Sequence, residues 1–137
     1  ANIFAIRGNA TDTTAVASTV KDVFLLQSGS KGEEKGPAEL TIQNFKVGQD
    51  ALMIINQGTT GAYAPSSIDS DILDLLTEGN GLTLDYTNTK DATITINWST
   101  LEGKWDGLDT TGTTIITLQG VQGLENVETV ADFFQVN

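Results

Sequence analysis

Carboxylates are the side chains of this chain whose number and type suggest chemistry. The 137 residues include 18 Asp and Glu against 7 Lys and Arg, with neither His nor Cys, and the formal net charge is -11 at pH 7. The chain therefore lacks the commonest general base, a Ser-His-Asp arrangement, a thiol nucleophile and the usual zinc ligands. Cation binding, charge-based solubility and catalysis by carboxylates alone remain. We expect a protein that is not an enzyme.

One candidate cation site follows from the residues of a single loop. Asp106 and Asp109 stand in the run GKWDGLDTTG, where glycines would let main-chain carbonyls converge beside the carboxylates. Oxygen ligands of both kinds suit calcium. The competing interpretation is an ordinary Asp-Gly turn.

Aromatic residues suggest a second kind of site. Trp98 and Trp105, together with Tyr63 and Tyr86, could form a platform on which a sugar ring packs. The competing interpretation is that these side chains fill the core, as most aromatic side chains do. Exposure of both tryptophans would support the sugar-binding interpretation.

Short strands must position these residues, because the composition favours strands and turns. The chain contains 14 Gly and only 2 Pro, and Thr and Asn are frequent. Residues 39–55 set two apolar runs on either side of a polar turn around Gly48, which predicts a hairpin or a sharp strand-turn-strand unit. Further apolar or alternating runs predict strands at 2–7, 22–27, 81–86, 92–98 and 113–118.

The length fits one domain over residues 1–137, with an N-terminal edge strand or loop at 1–20 and a β domain at 21–137. One helix is expected at about 67–79, because residues 68, 72, 75 and 76 form an apolar stripe. A short C-terminal helix is possible within 124–134. The predicted fold is mostly β, a β-sandwich or a curled roll-like sheet with one packed helix.

Two segments resemble the C-terminal region of RTX-type proteins, which are exported by type I secretion. The family pattern is an Asp-Val-Phe strand, a polar loop, an apolar strand ending in Asp-Phe, and a Gly-x-Asp turn before another apolar strand. The matching residues are Asp22, Val23 and Phe24, then Asn44, Phe45, Gly48 and Asp50. The TIITLQG run and the Ala-Asp-Phe sequence at 131–133 resemble the family's ending. The likeness spans residue 22 to the C-terminus.

This resemblance implies a β-rich fold, calcium dependence, export through a C-terminal signal and an extracellular destination. It also implies a calcium site at Asp22, Asn44 and Asp50, although Asn44 and Asp50 could instead only shape the turn. The chain departs from the family in two respects. It lacks the glycine-aspartate nonapeptides of calcium β-rolls, and Asn44 stands where the family usually has Asp.

The leading functional hypothesis is a secreted, non-enzymatic structural protein that assembles with itself into an extracellular matrix, surface layer or filament. Its partners would be further copies of itself, the type I secretion apparatus and calcium. The alternative is a carbohydrate-binding or adhesin module that uses Trp98 and Trp105 on a polysaccharide. The net charge disfavours nucleic acid and anionic membrane surfaces, and no apolar run is long enough to span a bilayer.

Overall fold

The structure, a computed structural model, describes residues 2–6, 13–27, 38–55, 76–102 and 111–134. These ranges contain nine strands and three short 3-10 helices. The strands are β1 (Asn2–Ile6), β2 (Thr13–Val16), β3 (Asp22–Gln27), β4 (Ala38–Gln43), β5 (Ala51–Ile55), β6 (Thr77–Glu78), β7 (Gly81–Tyr86), β8 (Ala92–Asn97) and β9 (Thr113–Gln119). The helical turns are η1 (Trp98–Leu101), η2 (Leu124–Asn126) and η3 (Val130–Phe133).

The strands form two sheets, which confirms the mostly β, sandwich-like prediction. The first sheet has three strands in the order β1-β3-β5, all parallel. The second has six strands in the order β2-β4-β9-β8-β7-β6. Its strands β2, β4 and β9 are parallel, whereas β8 is antiparallel to both β9 and β7. Neither sheet closes into a barrel.

The chain alternates between the two sheets from its first strand to its fifth. β1, β3 and β5 belong to the first sheet, and β2 and β4 belong to the second, which β9 later joins. Each strand therefore pairs in parallel with the strand two places away along the chain. We call each pair of strands, one from each sheet, a coil. The first coil is β1, β2 and the connection 17–21, the second is β3 and β4, and the third is β5 and β9.

Of the two alternatives predicted for residues 39–55, the structure has the sharp strand-turn-strand unit and not the hairpin, because β4 and β5 lie in different sheets. Their connection turns sharply at Asn44, which adopts a left-handed φ of 65°. Phe45 follows and is buried. Its side chain belongs to the core between the sheets, at the point where the chain crosses from the second sheet to the first. The strands predicted at 81–86 and 92–98 are present as β7 and β8, which are antiparallel neighbours joined by a short turn.

The predicted helix at 67–79 falls mainly on residues outside the described ranges. Its end is corrected, because Thr77 and Glu78 form strand β6 beside β7. At the C-terminus, the expected short helix is present as the two 3-10 turns η2 and η3. Within the described ranges, no helix has the length and apolar character needed to cross a bilayer.

The core fills the space between the sheets and joins both of them. Phe24, Leu26, Leu52 and Ile54 come from the first sheet, and they belong to one buried cluster with the inward residues of the second sheet. The rings of Phe4 and Phe24 stack across neighbouring coils at a centroid distance of 5.0 Å. Fully burying one such side chain contributes about 1.5–3 kcal/mol. Stacked aromatic and aliphatic residues thus hold successive coils together.

Substitutions at two glycines near the start of β7 distinguish the cost of backbone strain from the cost of overpacking. Gly79 and Gly81 have φ values of 83° and 90°. A Cβ on Gly79 would meet nothing within 4 Å, whereas a Cβ on Gly81 would lie 2.6 Å from Leu76 and 2.9 Å from the Thr100 hydroxyl. We expect Gly79→Ala to lower the free energy of unfolding by about 1–2 kcal/mol. Gly81→Ala should cost a further ~1–3 kcal/mol from overpacking. Equal costs in chemical denaturation would contradict this packing.

Candidate functional site: a buried aspartate ladder beside an open strand edge

Two of the three predicted calcium ligands of the family motif come together where the strands of the first sheet begin. Asp22 is the first residue of β3, and Asp50 directly precedes β5, which pairs with β3 in parallel. Both side chains are buried. The main-chain N–H of Asp22 donates to Oδ1 of Asp50 over 2.9 Å. The second carboxylate thus receives a main-chain hydrogen bond from the coil beside it.

The carboxylate oxygens accept their hydrogen bonds from the chain itself. Oδ1 of Asp22 accepts from the Asn2 side-chain amide over 2.9 Å and from the Ser18 hydroxyl over 3.0 Å, and Oδ2 accepts from the Ser18 main-chain N–H. Oδ2 of Asp50 accepts from the Lys46 main-chain N–H over 2.8 Å. Burial opposes ionisation of Asp22, but these hydrogen bonds outweigh it and hold its pKa below the usual 3.8. Asp22 is therefore ionised at neutral pH.

The same arrangement recurs a third time near the C-terminus. Asp132 accepts a hydrogen bond from the main-chain N–H of Glu128, four residues earlier, over 2.8 Å. Ser18 and Asp22 have that spacing, as do Lys46 and Asp50. Phe134 pairs in parallel with Leu52 in β5, so Asp132 and Asp50 both stand two residues before this bridge. The second and third coils therefore enter the first sheet through the buried Asp22 and Asp50, and the exposed Asp132 fixes the turn before the Phe134 bridge in the same way.

Asn44, the third predicted ligand of that motif, has a different position. Its side chain is exposed at the corner that follows β4. Gly120 occupies the matching corner after β9, with a φ of 66°. Asp106 and Asp109, the other predicted calcium ligands, lie outside the described residues. In the described ranges, no three acidic side chains gather into a group that could hold a metal ion, and calcium binding stays a prediction.

Trp98 cannot belong to the predicted sugar platform, because it is not exposed. This side chain is fully buried, and its indole N–H donates to the Thr114 hydroxyl over 2.8 Å. The physical reason is the strand period, because alternate residues of β8 from Ala92 onward face the core and Trp98 continues that row. Trp105 lies outside the described residues. Tyr86, by contrast, is 53% exposed.

The first coil presents an open edge of both sheets. Among the described residues, β1 pairs only with β3, and β2 pairs only with β4. Within the described ranges, the outer main-chain groups of both strands therefore have no neighbouring strand. Four large apolar side chains in the described ranges are more than half exposed, and three of them, Ile3, Val16 and Val20, belong to this coil. The edge has the properties of a strand-addition surface.

Two surface grooves accompany these features. One, with a volume of about 310 Å³, is lined by Ala17, Ser18, Thr19, Asn44, Lys46, Gln49 and Gln122. The other, of about 370 Å³, is lined by Tyr86, Asn88, Thr89, Leu124 and Glu125. The first groove runs along the connections between coils, and most of its described lining residues are polar. The second lies at the far end of the second sheet and contains the exposed tyrosine.

Comparisons with protein-family models, with curated proteins and with solved structures found no match to this chain. The resemblance to the RTX C-terminal region stays a prediction. The site is therefore interpreted from the geometry of its own residues.

We call Asp22, Asp50 and Asp132 the aspartate ladder. The sequence pattern did not predict it, because its repeats are unequal in length. The rungs at Asp22 and Asp50 are separated by one complete coil, whereas strands β6 to β8 intervene before Asp132. The available signal was an aspartate followed by apolar residues, in DVFLL, DALMI and DFF. The family motif drew attention to Asp22 and Asp50 as cation ligands, but their hydrogen bonds named above either fix the preceding turn or join neighbouring coils.

Replacing Asp22 with Asn tests whether the ladder is structural. The amide nitrogen would face N–H donors, and an acceptor oxygen and its charge would be lost, so we expect a loss of about 1–3 kcal/mol in the free energy of unfolding. Asp85→Asn, at an exposed position on β7, removes the same charge and serves as the matched control. Urea denaturation of both variants measures the difference. Equal free energies of unfolding in the two variants would contradict a structural role for Asp22.

The lowered pKa of Asp22 also predicts a dependence of stability on pH. Because the folded-state pKa lies below 3.8, its contribution is fully present above about pH 4 and is lost as the pH falls through the folded value. The melting temperature should therefore fall in acid, and the fall should be shallower in Asp22→Asn. A parallel pH dependence in the wild type and this variant would contradict the assignment.

Proposed function

We propose that this chain is a secreted, non-enzymatic structural subunit that assembles with further copies of itself through the open edge of the first coil. The observation that carries the proposal is that the first coil combines two strands that are edge strands within the described ranges with three exposed apolar side chains. An extracellular matrix, surface layer or filament is the setting in which such a subunit acts.

Unpaired strand edges attract further strands because each main-chain N–H and C=O can extend the ladder of hydrogen bonds. Proteins that remain monomeric usually protect such edges with charged side chains, Pro or a covering segment. Here the edge strand β2 exposes Val16, and the edge strand β1 exposes Ile3 at 69%. Neither described strand contains Pro, Lys or Glu. The two strands therefore lack the charged residues and the Pro that usually protect an edge.

A second copy of the chain suits this edge because the coils are similar to one another. Phe4 already stacks on Phe24 in the next coil, and Asn2 pairs in register with Asp22. At the opposite edge of the first sheet, Phe134 forms a bridge beside Leu52. The two edges differ, so joining one to the other is a heterologous contact that generates an open chain of subunits.

The net charge of -11 opposes assembly, since every copy repels the next. Salt screens this repulsion, and a divalent cation bound between copies would reduce it further. We therefore propose that calcium promotes assembly. Export by type I secretion, implied by the RTX-like residues, would deliver the subunit to the medium before it assembles.

Lysine substitutions test the edge directly. Ile3→Lys combined with Val16→Lys places charge on both edge strands, and we expect this variant to stay monomeric because strand addition would desolvate the two ammonium groups. Thr83→Lys combined with Tyr86→Lys, on β7, makes the same change in net charge at exposed positions away from the first coil. The control should assemble as the wild type does. Light scattering gives the particle size of each.

The same measurement with EGTA and then with calcium, at matched ionic strength, tests the role of the cation. Larger particles and a higher melting temperature in calcium are expected, because a ligand that binds only the folded or assembled state stabilises it. Assembly that is equal in both conditions would remove calcium from the mechanism. A wild-type protein that stays monomeric at high concentration in calcium would contradict the structural role itself.

A further inference from the structure

We propose that the groove beside Tyr86 is a binding site for neutral polysaccharide, in which one hexopyranose unit packs its ring face on the tyrosine. The groove has a volume of about 370 Å³ and is lined by Tyr86, Asn88, Thr89, Leu124 and Glu125. It does not include the first coil, so the proposal does not depend on assembly.

The exposure of Tyr86 follows from the path of β7. Leu82, Leu84 and Tyr86 occupy the same face of this strand, which is the face toward the core. Leu82 is buried, Leu84 is half-buried and Tyr86 is 53% exposed. The strand thus emerges from the core at its end, and an aromatic ring in the core-facing row becomes accessible there.

A single exposed tyrosine is common, but this one forms a wall of a groove. Leu124 in η2 also lines the groove and is buried, so the concavity has an apolar base beside an accessible aromatic ring. Ligand pockets range from about 300 to 1,000 Å³. The volume of this groove lies at the lower end of that range, which suits a small unit of a longer polymer.

The turn that forms the polar wall is held in place before any ligand arrives. Oδ1 of Asn88 accepts from the main-chain N–H groups of Lys90 and Asp91, over 2.7 and 2.9 Å. The carboxylate of Asp91 accepts from Gly120 N–H over 2.9 Å and from the Asn88 amide over 2.7 Å. The bond from Gly120 is the main cause that holds the pKa of Asp91 below its usual value. A wall fixed in this way loses little entropy on binding.

The polar groups of the groove favour a neutral sugar. Glu125 is exposed and offers a carboxylate that accepts hydrogen bonds from sugar hydroxyls, and the Thr89 hydroxyl can both donate and accept. No Lys or Arg is among the described lining residues. A uronate or sulfated sugar would therefore meet Glu125 without a compensating cation, in a protein whose net charge is -11.

Ring stereochemistry narrows the ligand class further. A β-linked glucose unit carries its substituents equatorially, so both faces of the ring present C–H groups and the rim presents hydroxyls. Its face matches the apolar ring of Tyr86, and its rim matches Glu125 and Thr89. The expected ligands are neutral polymers of equatorially substituted hexopyranoses.

Titration of the isotope-labelled full chain with cellohexaose, followed by amide NMR, tests the proposal. We expect shifts confined to the ends of β7 and η2 in the wild type. Tyr86→Ala should weaken binding about tenfold or more, as loss of an aromatic anchor does, whereas Tyr86→Phe should retain it. Glu125→Gln should weaken binding less, because an amide still accepts a hydrogen bond. Glu39→Gln, the same change as Glu125→Gln at an exposed position on β4, should bind as the wild type does.

A guluronate oligosaccharide of similar length is the charged comparison and should bind more weakly than cellohexaose. Three results would overturn the proposal: no shifts at millimolar cellohexaose, unchanged affinity in Tyr86→Ala, or equal affinity for the charged oligosaccharide. Tyr86 is exposed, so its variants should fold, and the dispersion of their amide spectra verifies this.

Discussion

The rest of the structure depends on one kind of hydrogen bond, from main-chain N–H groups to buried aspartate carboxylates where the chain enters the first sheet. The chain crosses repeatedly between two packed sheets, and its main-chain N–H groups need acceptors where it turns. The buried Asp22 and Asp50 supply acceptors on successive coils, and the exposed Asp132 repeats the arrangement beside β5. Because each acceptor fixes the residue four places earlier, it sets the position at which the next strand begins, and hence the parallel register of the coils.

An architecture of stacked coils has a consequence for function. Each coil is stabilised by the coil beside it, so an end coil without a neighbour exposes main-chain groups and apolar side chains that an inner coil would bury. β1 and β2 are at such an end. The antiparallel strands β7 and β8 extend the second sheet in the other direction and bring Tyr86 to the surface. Self-assembly and polysaccharide binding would thus use opposite ends of the second sheet, which suits a protein that forms part of a matrix.

Local pattern was enough to predict most of the strands, although β6 lies where a helix was expected and β2 lies in a segment predicted as an edge strand or loop. The order in which the strands pair depends on contacts that local pattern does not encode. The runs at 22–27 and 81–86 are strands because their apolar, β-branched and alternating residues fit a buried pleat. At 39–55 the sequence left two alternatives open, because a glycine-containing turn between apolar runs is typical both of a hairpin and of a sharp strand-turn-strand unit. The chain crosses to the other sheet because Phe45 is buried beside the left-handed Asn44. The burial of Phe45 depends on its contacts with the opposite sheet. Similarly, Trp98 has no local signal for burial beyond the alternation of β8, and the ladder residues have the chemistry of cation ligands until their N–H donors are known.

Hydrogen exchange of main-chain amides, measured by mass spectrometry on dilute and on assembled protein, tests the central claim most directly. If copies join through the first coil, peptides covering residues 2–6 and 13–16 gain protection on assembly, while those covering β7 exchange at the same rate in both states. Protection that appears on β7 and leaves the first coil unchanged would contradict the account.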